Sequence, residues 1–185
     1  MKKKLKKIRI TGGLFKGRVL HSVSKIDVRP TGNRIKHILF SWLKPYIEKS
    51  LCLDCFAGSG SLSIESVSRL AKFVTALEKN YILVKKLKKT LKNFSINNIS
   101  ILQFNTIRWL KNSGNPHDII YLDPPFSNKK LLNQSITYLE KYNWTHKDSI
   151  IYIEHIDNKI ELPKNWKLMK TKKIGAVLFS LYWKL

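Results

Sequence analysis

The run Leu51-Cys-Leu-Asp-Cys-Phe-Ala-Gly-Ser-Gly-Ser61 constrains the fold more than any other stretch of this chain. A short apolar segment of strand character meets two closely spaced glycines, and a helical pattern follows to about residue 70. Glycines at 58 and 60 let the backbone turn sharply and approach a ligand. The same rhythm continues downstream. Residues 73–77 read as a strand. Asn80 caps a lysine-rich helix with Leu83, Leu87 and Leu91 inward. Strands follow at 99–104, 119–122 and 150–154, separated by a short helix near 107–110 and a longer one at 129–142, and 166–173 with 176–183 read as a closing antiparallel pair. Alternation of this kind predicts an α/β fold: a mostly parallel, doubly wound, seven-stranded sheet with helices on both faces. Ahead of it, residues 7–22 read as a hairpin around Gly12, Gly13 and Gly17. Residues 31–44 read as a helix with Ile35, Ile38, Leu39, Trp42 and Leu43 on one face, ended by Pro45. The chain of 185 residues suits one such domain, 49–185, with a small N-terminal hairpin-helix extension, 1–48.

Doubly wound sheets bind ligands beyond the carboxyl ends of their strands, where the glycine loop falls. A dinucleotide site asks for a third glycine, and Ser63 stands there instead. The two-glycine form suits a cofactor without a pyrophosphate, and S-adenosylmethionine fits. Asp54, Phe56, Ala57, Gly58, Ser59 and Gly60 then form the cofactor loop, with Asp54 near the methionine moiety. Glu78 lies 20 residues beyond Gly58, where a carboxylate can accept both ribose hydroxyls. The plainer reading makes Asp54 and Glu78 strand-end caps.

A second loop, Asp123-Pro-Pro-Phe126, follows Ile119-Ile-Tyr-Leu122. Its double proline fixes φ and stiffens the turn. Stiffness suits methylation of an exocyclic base amine, a poor nucleophile because its lone pair is delocalised into the ring. Acceptors aimed at the two N–H bonds favour a pyramidal nitrogen, and Asp123 with the carbonyl of Pro124 supplies them. Pro125 completes the rigid turn, and Phe126 offers a face for a flipped base. The alternative is a proline-stiffened turn with no chemistry.

Lys and Arg number 35 against 12 Asp and Glu, a formal charge of +23, which favours a polyanionic partner. Lysine, isoleucine and asparagine are abundant throughout, so part of that charge follows from composition alone. No stretch reaches the roughly 18 apolar residues of a membrane span, and no secretory signal follows the basic start, so a cytoplasmic protein is expected. Cys52 and Cys55 form a C-x-x-C without a second pair or a nearby histidine. They read as buried strand cysteines, with no metal site.

Several motifs carry a family resemblance. Ile10-Thr-Gly-Gly-Leu-Phe-Lys-Gly-Arg18 and Arg29-Pro-Thr-Gly-Asn-Arg-Ile-Lys-His-Ile-Leu-Phe-Ser-Trp-Leu43 are joined, in order, by the glycine loop, Leu77-Glu78 and Leu122-Asp-Pro-Pro-Phe126. Together they resemble the RsmD family, bacterial 16S rRNA guanine-N2 methyltransferases, over nearly the whole chain. The resemblance implies a Rossmann-like class I methyltransferase fold and N2-methylguanine as product. It implies 16S rRNA within an assembling small ribosomal subunit as partner, and a monomer is expected. The chain departs from the family pattern at Asn33, His37 and Asn105, where acids are usual. Asn105, after the third strand, would lie near the cofactor's adenine. RNA contacts fall to Lys16, Arg18, Arg29, Arg34 and Lys36, on or beside the two N-terminal motifs. The cluster from Lys85 to Lys92 reads as a solvated helix face. Two other functions share these features: an adenine-N6 methyltransferase acting on DNA or RNA, and a basic RNA-binding assembly protein without catalysis.

Overall fold

The computed structural model describes residues 7–21, 32–126, 128–156 and 160–185. In chain order these form β1 (Lys7–Arg9), β2 (Val19–His21), α1 (Asn33–Trp42), β3 (Leu51–Asp54), α2 (Ser61–Ser68), β4 (Phe73–Glu78), α3 (Tyr81–Phe94) and β5 (Ile99–Gln103). Then come α4 (Thr106–Leu110), β6 (His117–Leu122), α5 (Lys129–Lys141), β7 (Thr145–His155), β8 (Trp166–Ile174) and β9 (Val177–Lys184). Strands β1 and β2 pair antiparallel, and the other seven form one sheet in the order β5-β4-β3-β6-β7-β9-β8. The first five of that sheet run parallel, and β9 is antiparallel to both β7 and β8. This is the mostly parallel α/β sheet that the alternation predicts.

Burial on both faces explains the nearly continuous apolar runs of the central strands. Cys52, Ile119, Tyr121, Ile150 and Tyr152 face a layer containing residues of α1, α2 and α3. Leu53, Cys55, Ile120, Leu122, Ile151 and Ile153 face the layer of α4 and α5. A period of two therefore sorts one strand into two cores. Both cysteines are buried and free. Burial pushes the Cys52 thiol up to about 12 and the Cys55 thiol well above its ordinary range, so neither is a ready thiolate.

β7 begins five residues before the expected strand at 150–154. Its early part pairs His117 with Thr145, after which the register shifts and resumes at Ile119 with Ile150. Ser149 bridges the irregularity. Its hydroxyl donates to the His117 carbonyl (2.7 Å) and accepts from the His146 N–H (2.9 Å). A serine side chain standing in for ladder bonds leaves no periodic trace in sequence.

The N-terminal segments share the core of the sheet. Ile8, Ile10, Leu20, Ile35, Leu39 and Phe40 belong to the same buried cluster as Val74 and Ile119. Phe40 lies against Tyr121 (ring centroids 6.3 Å) and Trp42 stacks on Phe179 (5.4 Å). The buried arc of α1 is Ile35, Lys36, Leu39 and Phe40, so it includes Lys36 and Phe40 beside the expected stripe.

That placement corrects one expectation. Lys36 is fully buried, so it is not one of the surface cations available to a phosphate. Its ammonium donates to the Arg9 carbonyl (2.6 Å) and lies 3.9 Å from Glu65 Oε2. Burial lowers its pKa, opposed by the charge of Glu65. Glu65 in turn accepts from the Thr11 N–H (2.8 Å to Oε2) and from Arg69 (3.1 Å), whose guanidinium also covers Phe40. One carboxylate thus ties β1, α1 and α2 together. All eight residues of α2 are buried, serines included, because the N-terminal hairpin covers the helix face that would otherwise meet water. Leu14 N–H donates to the Ser68 carbonyl and Phe15 N–H to the Ser68 hydroxyl.

Candidate active site

The chain leaves β5 at one side of the sheet and returns to β6 beside β3. That reversal opens a crevice at the carboxyl ends of β3 and β6. A cavity of about 530 Å³ lies there. Asp54, Phe56, Ala57, Gly58, Ser59, Glu78 and Asn105 line it together with Asp123, Pro124, Pro125 and Phe126. The two loops read from sequence therefore face one space. Gly60 stands outside the lining and shapes the turn. It is in the left-handed region (φ 74°) at the start of α2, and a Cβ there would collide with Leu87 of α3.

Asp54 is 2% exposed. Its Oδ2 accepts from the Ser63 hydroxyl (2.6 Å) and Oδ1 from the Phe56 N–H (3.4 Å). Burial raises its pKa from 3.8 to about 6, with the charge of Glu78 adding to the rise and the Ser63 and Phe56 bonds opposing it. Glu78 accepts at both oxygens, from Gly58 N–H (2.9 Å) and Asn80 N–H (2.7 Å). These bonds fix the carboxylate against the glycine loop and leave lone pairs for two further donors. Asn105 caps α4, its Oδ1 accepting from the Arg108 N–H (3.1 Å). The oxygen expected to meet an adenine amine is therefore already engaged once.

The residues of the Asp-Pro-Pro-Phe loop are graded in burial: Pro124 is buried, Asp123 and Phe126 are half-buried, and Pro125 is exposed. The Pro125 carbonyl accepts from Asn128 N–H (3.0 Å), and Asn128 caps α5, so the loop is clamped between β6 and a helix start.

Ser61 closes the glycine loop on the cavity, and the lining residues that the sequence reading left unassigned include Thr106 and Glu154. The Ser61 hydroxyl is buried at the cavity and has no hydrogen-bond partner among the described residues, as befits a ligand-facing group. Thr106 bonds the Cys55 carbonyl. Glu154, 2% exposed, is the penultimate residue of β7, much as Asp54 and Glu78 end β3 and β4 and Asp123 follows β6. Acids recurring at successive strand ends were the available signal.

The expected RNA-contact residues divide. Lys16, Arg18 and Arg34 are exposed, whereas Arg29 lies outside the described residues. The Arg18 guanidinium sits over Phe15 (5.1 Å) and Phe94 (4.8 Å), which holds it while leaving its edge open. Lys85, Lys88, Lys89 and Lys92 are exposed along α3, as a solvated face requires.

Sheet order, glycine loop, strand-end acids and Asp-Pro-Pro-Phe loop together define a Rossmann-like class I methyltransferase fold. Residues 8–183 match the family described as conserved hypothetical protein 95, and the chain belongs to that family, the RsmD family. The chain is 44% identical over 182 residues to "Ribosomal RNA small subunit methyltransferase D" of Buchnera aphidicola, covering 97% of this chain and 95% of the relative. Its fold superposes on a putative methyltransferase from Escherichia coli with a TM-score of 0.89 at 35% identity, over 97% of this chain and 98% of that one. A putative methylase from Haemophilus influenzae gives 0.83 at 40% identity, over 97% and 99%. Among the described residues no helix is long and apolar enough to cross a membrane.

Proposed function

We propose that this protein transfers a methyl group from S-adenosylmethionine to the exocyclic N2 amine of a guanine in 16S rRNA, acting as a cytoplasmic monomer on an assembling small ribosomal subunit. The single observation carrying the reading is the shared cavity, with a cofactor-type loop on one wall and an Asp-Pro-Pro-Phe loop on the other. The names of the relatives supply the RNA class.

The residues present fit the cofactor. Glu78 would accept from the ribose hydroxyls. Asp54 would hold the methionine amino group, whose positive charge offsets the cost of a buried carboxylate. Backbone at Phe56, Ala57, Gly58 and Ser59 would follow the ligand closely, and Asn105 with its amide would meet the adenine. Bound there, S-adenosylmethionine supplies an electrophilic methyl group on a sulfonium.

The rest is the work of the protein. Asp123 and the Pro124 carbonyl accept the two N–H bonds of the amine and aim its lone pair. As the methyl group passes from sulfur to nitrogen, the nitrogen would become acidic, and Asp123 would take its proton. Pro125 keeps that geometry stiff, and Phe126 stacks on the flipped base. Lys16, Arg18, Arg29 and Arg34 would contact phosphates.

Incubating the protein with methyl-labelled S-adenosylmethionine and small subunits lacking the modification tests this, with nucleoside analysis of the digested RNA. The expected product is label in N2-methylguanine. Label in N6-methyladenine, or RNA binding without transfer, would contradict the reading.

A further inference from the structure

The Asp-Pro-Pro-Phe loop serves an amine and does not by itself choose between guanine and adenine. A second carboxylate stands beside it. β6 and β7 run parallel, with Tyr121 opposite Tyr152 and Leu122 opposite Ile153. One step further along these two strands stand Asp123 and Glu154, which line the same cavity. Glu154 also borders a smaller cleft under Pro124, Pro125 and Phe126, so it lies at the base of the loop that would hold the base.

Its orientation is fixed from below. The Tyr152 hydroxyl donates to Glu154 Oε2 at 2.8 Å. Burial, then the charges of Glu154 and Asp123, push that hydroxyl's pKa well up, so it remains a donor. An ionised carboxylate offers only acceptors, with about four lone-pair sites. As a carboxylate, Glu154 would favour a base edge that donates.

We infer that Glu154 is the specificity residue of this site, accepting the N1–H of guanine while Asp123 accepts from the neighbouring N2 amine. Guanine presents these two donors side by side on its Watson–Crick edge. Adenine and cytosine present an amine beside a bare ring nitrogen, which would face the buried carboxylate lone pair to lone pair. Such a mismatch leaves a buried polar group unpaired, the strongest form of rejection available to a rigid site. The inference rests on guanine N2 as the methyl acceptor and explains how that base is chosen.

The test uses small subunits assembled with RNA carrying either guanosine or 2,6-diaminopurine riboside at the modified nucleotide, first located by mapping the label to an RNA fragment. Diaminopurine keeps the 2-amine, replaces N1–H with an acceptor and carries an amine in place of the 6-oxygen, so the Glu154 variant is needed to assign the effect. Wild-type kcat/KM should be at least about 100-fold lower on diaminopurine. Glu154→Gln can turn its amide N–H toward the bare N1, so its preference for guanosine should shrink to within about 10-fold. A role confined to packing would lower both rates together and leave the ratio unchanged. Wild-type use of both bases at similar rates, or an unchanged ratio in a folded Glu154→Gln protein, overturns the inference. If that variant does not fold, similar wild-type rates on the two bases still overturn the inference. Absence of N2-methylguanine from the guanosine particle overturns the function reading and this inference with it. Product there with a flat ratio overturns the inference alone.

Discussion

Asp54 is a carboxylate kept where its charge is costly. Its pKa rises from 3.8 to about 6 on folding because it is buried. Between those values the native state holds a proton that the unfolded chain has released. The contribution of this group to stability is therefore greatest below about pH 4 and declines as pH rises through 6. At neutral pH Asp54 is a buried charge that a cofactor's amino group would offset. Asp54→Asn keeps an acceptor for Ser63 and removes the charge. The variant should be at least as stable as wild type at pH 7, by up to about 2 kcal/mol in denaturant melts. It should bind S-adenosylmethionine at least about tenfold more weakly in calorimetric titration. A less stable variant with unchanged affinity would show that Asp54 is a strand-end cap. The spacing of Asp54 and Glu78 around the glycines was legible in sequence because strand ends and turns are local. Glu154 was not, because its meaning depends on β7 lying beside β6, a pairing made across α5.

At the scale of elements, α2 and α1 were the least legible. Half of Ser61-Leu-Ser-Ile-Glu-Ser-Val-Ser68 is serine, yet all of it is buried. Several of its polar groups find partners only in the folded chain: Ser63 in Asp54, Ser66 in Tyr121, and Glu65 in Thr11. A helical period records which residues share a face and says nothing about what covers it. The same limit placed Lys36 among the RNA contacts. Two substitutions on α1 separate the roles. Lys36→Met removes the donor to the Arg9 carbonyl and the cation near Glu65. It should cost about 2–3 kcal/mol in chemical denaturation and leave RNA affinity unchanged where the protein is folded. Arg34→Ala, at an exposed position, should change stability by less than about 0.5 kcal/mol and weaken binding to small subunits. The opposite pattern would return Lys36 to the RNA surface.

Over the whole molecule, charge is sorted. The chain carries a formal +23, with 12 acids in all. Four of them, Asp54, Glu78, Asp123 and Glu154, line one cavity at the carboxyl edge of the sheet. A basic exterior suits phosphate, and a cavity of acceptors suits ligands rich in N–H and O–H donors. The strand and helix order, and hence the meeting of the two loops, was legible because doubly wound sheets follow few topologies. The division of labour between those loops is the central claim, and Asp123→Ala tests it most directly. Methyl transfer to small subunits and S-adenosylmethionine affinity are measured on the same preparation. Transfer should fall by at least about 1,000-fold while the cofactor dissociation constant stays within about threefold of wild type. Turnover like that of wild type would contradict the account.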